Sequence, residues 1–485
     1  MEEFDVVVIG WGKGGKTLAI NLQKQGKKVA IVEQSSMMYG GTCINIGCVP
    51  TKTLVHQAEI QVTDKQGHFH DAVKVRDALI SKLNSVNYSM FAEIPGATVF
   101  NGRARFITPK IIEIETAEGA VKVSGESVVI NTGAVPVVPP IDGIPDEILQ
   151  GKANIALPEG EENVANGSKI FTSTTIQHMT DLPDHLVVVG GGFIGLEFAS
   201  MFANFGSKVT VFHMGEEILE SEDPEVAQEV RNVLEQTGIT FVTGARVKSV
   251  REAIVRADTR DGNVTVNADA VLLAVGRRPA TSGLALDEVG IDVDERGAVV
   301  VNDYLETSVP GVFALGDVNG GPQHTYISLD DFRIVKDRIL FRQDGSSNRS
   351  SNNCVQRSRL DRVAVPVTTF LTPPLSSVGL TAKDAQKAGY SIKVVTKKVA
   401  SIKAMPRPKT VGDPRGLISI VVDANTDMIL GARLFHVDSQ EVINLVALAM
   451  RAKIPVSELR DGIWTHPSST EALNEVLGEL QLLEK

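Results

Sequence analysis

Cys43 and Cys48 are two of only three cysteines in 485 residues, and they stand five positions apart in Gly40-Gly41-Thr42-Cys43-Ile44-Asn45-Ile46-Gly47-Cys48-Val49-Pro50-Thr51-Lys52. A disulfide needs its Cα atoms about 4.4–6.8 Å apart. Five positions along a regular helix set the two sulfurs at different points along the axis, so the chain must bend here. Gly47 between the cysteines and Pro50 just after them suit a distorted first helical turn. A helix N-terminus in turn favours thiolate over thiol. The pair reads as a redox couple that opens and closes, against the competing reading of a structural disulfide or two inert thiols. A second group of chemical interest is Trp464-Thr465-His466-Pro467-Ser468-Ser469-Thr470-Glu471. A histidine near a redox thiol can serve as general acid and base with a carboxylate fixing its tautomer. Ser468-x-x-Glu471 is equally a capping box for a helix through Leu473 and Val476, and both readings stay open.

Such residues need elements to position them. Val6-Val7-Val8-Ile9 reads as a buried strand, followed by Gly10-Trp11-Gly12-Lys13-Gly14-Gly15, a helix from Lys16 to Gln25 and a strand Val29 to Val32 that ends in Glu33. This unit suits a dinucleotide: the glycines admit backbone to the pyrophosphate, and Glu33 suits a ribose hydroxyl. The pattern returns 180 residues later, with Gly10, Gly12, Gly15, Gly26 and Val29 answered by Gly190, Gly192, Gly195, Gly206 and Val209. A helix is expected from Leu196 to Phe205. Glu33 is answered by His213, which gives neither the acid favoured by NAD nor the arginine favoured by NADP; a plain strand cap is the alternative. Residues 54–92 read as mostly helical and 98–131 as strands. Segments 151–170 and 343–358 read as loops, the second carrying Cys354 as an unpaired bystander. Strands are expected over Val128 to Asn131, before Thr132-Gly133-Ala134, over Ala270 to Val275, before Gly276-Arg277, and at Val312 to Leu315, before Gly316-Asp317.

The length implies two to four domains. A net charge of −11 argues against nucleic acid or an anionic membrane as the main partner. The acidic start Met1-Glu2-Glu3-Phe4-Asp5 is unlike a signal peptide, and no apolar run reaches spanning length, so a cytoplasmic protein is expected. There, static disulfides are rare and a close cysteine pair is more often catalytic or metal-binding.

Gly40 to Lys52, the two glycine turns, Thr132-Gly133, Gly316-Asp317 and His466-Pro467 to Glu471 together resemble the class I flavoprotein disulfide reductases, the pyridine nucleotide-disulfide oxidoreductases, over nearly the whole chain. That family includes dihydrolipoamide dehydrogenase, glutathione reductase and mercuric reductase. The resemblance implies an α/β fold with two Rossmann-like dinucleotide-binding domains and an α+β C-terminal dimerisation domain. Its expected parts are FAD-binding segments 1–165 and 286–358, an NAD(P)-binding domain 166–285 and an interface domain 359–485. FAD would be held by Gly10, Gly12, Gly15, Glu33, Thr42, Lys52, Ala104, Gly133 and Asp317. NADH or NADPH would be held by Gly190, Gly192, Ile194, Gly195, Glu197, His213, Val247 and Gly276. Lys52 and Glu197 would pair beside the flavin, Cys48 would face it, and Cys43 would meet the substrate. His466, from the other subunit of a homodimer, would act as acid and base, oriented by Glu471. Hydride would pass from NAD(P)H to FAD, and two electrons onward to the disulfide.

Several residues depart from the common family pattern: Lys13, Lys16, Tyr39, His436 and His324-Thr325-Tyr326-Ile327-Ser328. With Thr372-Pro373-Pro374-Leu375-Ser376 they resemble the bacterial reactive-chlorine-resistance branch associated with copper(II) reduction. The shuttle cysteines of mercuric reductase are not expected. Thiolates prefer Cu(I), so Cys43, Cys48 and His466 are candidate ligands for substrate copper. A small disulfide such as lipoamide or glutathione disulfide is the alternative acceptor. A flavin-binding redox sensor with little turnover is the alternative of another class.

Overall fold

The computed structural model describes residues 1–149, 168–343 and 357–483. Its architecture is α/β. The first strand, Glu2–Ile9, lies between Val29–Glu33 and Gly119–Ile130, parallel to both, with Val6 opposite Val29 and Ser127. Val6, Val7 and Val8 are fully buried, so both faces of the parallel part of the sheet are covered. Thr98–Asn101 extends one edge, Ile111–Thr116 and Arg103–Thr108 extend the other, and Val312–Ala314 returns late in the chain to pair with Gly119–Ile130. A second parallel sheet runs Ile239–Val242, Lys208–Phe212, His185–Val189, Ala270–Leu273, Ile170–Thr172, with a three-stranded antiparallel sheet, Arg246–Arg251 to Gly262–Asn267, at its side. Ala134–Pro136 pairs with Arg277–Pro279 where the chain passes between the two units.

Both glycine turns are built alike. Gly10 and Gly190 have φ of +101° and +114°, and a Cβ on either would meet a backbone oxygen, of Asn131 or Ala274, at 2.4 Å. The helices that follow start earlier than the hydrophobic pattern indicates. α1 spans Lys13–Lys24 and its counterpart Phe193–Phe205, three residues ahead of the expected Lys16 and Leu196. Each is N-capped by a glycine, Gly12 or Gly192, with no side-chain hydrogen bond to mark the start. Between the units, α2 (Gly41–Asn45) and α3 (Cys48–Ala58) precede the long α4 (Lys65–Ala92).

The C-terminal part is a six-stranded antiparallel sheet from Val367–Thr369 to Gln481–Leu482, packed under helix Ser439–Ala452 through Val378, Leu434, Val442 and Val446. Among the described residues no helix is long and apolar enough to cross a membrane. The expected loops 151–170 and 343–358, with Cys354, lie largely or wholly outside the described residues.

A buried ion pair ties the second nucleotide unit to the C-terminal sheet. Arg433 Nε donates to Glu222 Oε2 at 2.6 Å, with both side chains under 10% exposed. Arg433 also donates to the carbonyls of Val378, Gly379 and Leu380. Removing one partner strands a buried charge, at a cost of about 3–5 kcal/mol. Arg433→Met is expected to lower the thermal midpoint clearly, and adding Glu222→Met to recover part of the loss; calorimetry on the two variants checks this.

Candidate active site

The bend required between the cysteines is a break between two helices. Cys43 lies within α2, Ile46 ends it at φ −140° and ψ 9°, and Gly47 N-caps α3, whose first residue is Cys48. The single distorted turn expected from the sequence is thus two helices with a two-residue joint. Both cysteines are free thiols. They face a cavity of about 740 Å³ that also receives Gly10, Gly12, Lys13, Glu33, Thr42, Lys52, Ala104, Gly133, Ile194, Glu197 and Asp317.

The two thiols are made unequal. A hydrogen bond from the Cys43 thiol brings Cys48 down to about 6, against the opposing effect of burial, with help from the Thr325 hydroxyl and the Lys52 ammonium. The same bond, with burial, pushes Cys43 up. Thr325 Oγ1 sits 3.5 Å from Cys48 Sγ and opens the helix Thr325–Gln343. Lys52 Nζ lies 2.7 Å from Glu197 Oε2, while Glu197 Oε1 accepts from Phe370 N at 2.7 Å.

The carboxylate ending the second strand is deeply buried. Glu33 Oε2 accepts from Trp11 N at 3.0 Å and Oε1 from Ser35 N at 3.3 Å. Burial nevertheless raises its pKa to about 7. Burial raises Asp317 as well, opposed by Arg277. Two buried carboxylates on one cavity fit a ligand that brings hydroxyls, as a ribose and a polyol chain do. Around the second glycine turn, a Cβ on Gly192 or Gly276 would meet nothing within 4 Å. That open ground at a helix N-terminus suits a second phosphate-bearing ligand. His213 Nδ1 accepts from Gly191 N at 3.3 Å, so the ring braces the second turn.

Other expected residues are not in the cavity. Gly15 packs behind it, its N–H on Asn131 Oδ1 at 2.9 Å. Gly190, Gly192, Gly195, His213, Val247 and Gly276 belong to the second unit and do not line it. His466 stands away from it and is 72% exposed, with Nδ1 3.0 Å from Glu471 Oε1. Glu471 is held below the usual carboxylate range, chiefly by that contact. Glu471 Oε2 also accepts from Ser468 N at 2.8 Å. The expected capping box is therefore half formed: the helix is Ala472–Val476, Glu471 is its cap residue, and Ser468 Oγ makes no cap bond. Within one chain, no group of three metal-ligating side chains occurs among the described residues.

Sequence reasoning assigned no role to Thr325, Arg277 or Gln177, which all line the cavity. Thr325 stood inside a segment already marked as unusual, but its partner is 277 residues away. Lys16, another unusual residue, is buried with its ammonium donating to Asn87 Oδ1, and burial lowers its pKa to about 8.

Residues 4–331 match the pyridine nucleotide-disulphide oxidoreductases, and residues 365–477 match the dimerisation domain of that family. The chain belongs to this family. Like other pyridine nucleotide-disulphide oxidoreductases, it is an FAD-dependent NAD(P)H oxidoreductase with redox-active disulfide chemistry and a homodimerisation domain. It is 42% identical to the probable pyridine nucleotide-disulfide oxidoreductase RclA of Escherichia coli, over 98% of this chain and 99% of that one. It is 32% identical to a mercuric reductase of Streptomyces lividans, over 97% and 94%. The structure of the Cu(II) complex of the HOCl-induced flavoprotein disulfide reductase RclA from Escherichia coli superposes with a TM-score of 0.86, at 41% identity and 99% coverage of each chain.

Two outcomes test this geometry. Thr325→Val should raise the Cys48 thiol by about one unit, the scale of one hydrogen bond to a charged group; the pH dependence of iodoacetamide labelling at Cys48 in the reduced protein reads it. Glu33 keeps its proton to higher pH when folded than when unfolded, about 7 against 4.5. Its contribution is therefore fully present below the unfolded value and lost as pH rises through 7. The thermal midpoint of the cofactor-stripped protein should fall over that window, and Glu33→Gln should flatten the fall.

Proposed function

We propose that the chain is an NAD(P)H-dependent reductase whose Cys43–Cys48 pair delivers electrons to a soft metal ion, Cu(II), in defence against oxidative, reactive-chlorine stress. The single observation that carries this is the thiol pair of opposed acidity lining the cofactor cavity, in a chain so similar to one whose Cu(II) complex is known. In this reading, segments 1–165 and 286–358 hold FAD, 166–285 hold the nicotinamide nucleotide and 359–485 join the two subunits. Bound FAD supplies two-electron transfer between a reduced nicotinamide and the sulfurs.

The protein's own groups do the rest. Glu33 and Asp317 take ligand hydroxyls, and Thr42, Ala104 and Gly133 shape the wall beside them. Lys52, held by Glu197, keeps its ammonium near Cys48 and stabilises the thiolate, an effect that the Glu197 carboxylate opposes. Opening the disulfide takes two electrons and one proton, leaving Cys43 as thiol and Cys48 as thiolate. Closing it against two Cu(II) ions yields two Cu(I) and returns that proton. Cys43, kept as the thiol, is the sulfur that meets the acceptor, and thiolates hold Cu(I) well. His466 of the partner subunit, fixed by Glu471, moves the proton and adds a nitrogen ligand. A dithiol cycle of this kind suits the reducing cytoplasm.

The test is a rate comparison of Cu(II), lipoamide and glutathione disulfide as acceptors, each with NADH and with NADPH. Cu(II) should be preferred, and Cys43→Ser should lose Cu(II) reduction by at least about a hundredfold, the scale for removing a reacting group. Faster turnover of lipoamide than of Cu(II) would sink the metal reading, and an undiminished Cys43→Ser rate would show electrons bypassing the pair.

A further inference from the structure

The joint between α2 and α3 leaves a backbone group in need of a partner. Ile46 is buried, and its carbonyl has no helical donor, because the residue four positions on is Pro50, which has no N–H. A buried carbonyl left unpaired is costly. The donor comes from the second nucleotide unit: Gln177 Nε2 donates to Ile46 O at 2.9 Å and to Ser173 O at 2.7 Å. Two carbonyls flanking one amide nitrogen allow only this orientation of the side chain. Gln177 is 3% exposed, and its Oε1 is buried with no partner among the described residues. Its own carbonyl accepts from Nη1 of the fully buried Arg76 on α4, which pins the short turn Ile176–His178.

We propose that Gln177 is a positioning residue for the cysteine pair: its amide fixes the joint so that the free dithiol is already arranged to close, and thereby sets the redox equilibrium of the pair. This rests on the reading above that Cys43 and Cys48 open and close. The joint holds only Ile46 and Gly47, so its backbone geometry decides how the two cysteines face each other. Without the amide the reduced loop gains freedom that closure must then remove, so the disulfide loses ground to the dithiol.

The experiment equilibrates the FAD-loaded dimer with mixtures of reduced and oxidised dithiothreitol. In the exchange, reduced dithiothreitol becomes its cyclic disulfide as the protein disulfide becomes two thiols, so electrons and protons balance. Acid quenching, alkylation and mass spectrometry read the sulfurs directly. Gln177→Met, of equal length and without donors, should shift the equilibrium about tenfold toward the dithiol, which is ~30 mV for a two-electron couple. Thr174→Val is the control. Thr174 is buried on the same loop and its Oγ1 has no partner among the described residues, so its loss should leave the midpoint in place. Gln177→Glu guards against a misfolded methionine variant. It offers a donor only when protonated, so its shift should shrink as pH is lowered. A wild-type midpoint in Gln177→Met, an equal shift in Thr174→Val, or a shift in Gln177→Glu that ignores pH would each overturn the proposal. If the wild-type protein formed no disulfide at any dithiothreitol ratio, the function proposed above would fail first, and the two failures are told apart by that one control.

Discussion

Two sulfurs five residues apart cannot meet on an unbroken helix, and much of the site follows from how this chain breaks one. Ending α2 at Ile46 and restarting at Cys48 places one thiol within a short helix and the other at the head of a longer one. The two then sit in different electrostatic surroundings even though they touch. One proton is shared unequally, so the dithiol state carries a single thiolate, and it is the sulfur beside Lys52 and Thr325 that bears it. The break also exposes backbone that the helices no longer satisfy, and the fold answers with a side chain from another unit.

The rest of the architecture is a frame that holds this joint against a cavity. Asn131 joins the parts of the first unit: its side-chain oxygen accepts from Gly15 N, and its amide donates to Leu315 O at 2.8 Å. That links the first turn to the strand that returns after the second unit has been built. Gly316 N in turn donates to Asp331 Oδ2 at 2.7 Å, fixing the loop that presents Asp317. Long sequence separations thus converge on a few buried polar contacts, which a purely apolar core could not register so specifically.

Local signals made the frame legible. The β-branched runs, both glycine turns, the cysteine spacing and the strand-ending Glu33 lie within short windows, and each has a mechanical reason visible in the residues themselves. Helix starts were less legible, because Gly12 and Gly192 cap by backbone alone and leave no serine or aspartate to read. Glu471 was ambiguous for a physical reason: one carboxylate can accept from a histidine and from a backbone N–H at once, and it does both. The roles of Gln177 and Thr325 were out of reach, since each acts on a partner more than a hundred residues away.

The twin turns differ in what stands at the end of their second strand. In the first, a buried carboxylate accepts from Trp11 N in the turn itself and from Ser35 N just after the strand. In the second, an imidazole accepts from Gly191 N through its Nδ1. The same backbone plan thus ends in two different acceptors, a buried carboxylate and an imidazole, so duplicating the turn did not duplicate its chemistry.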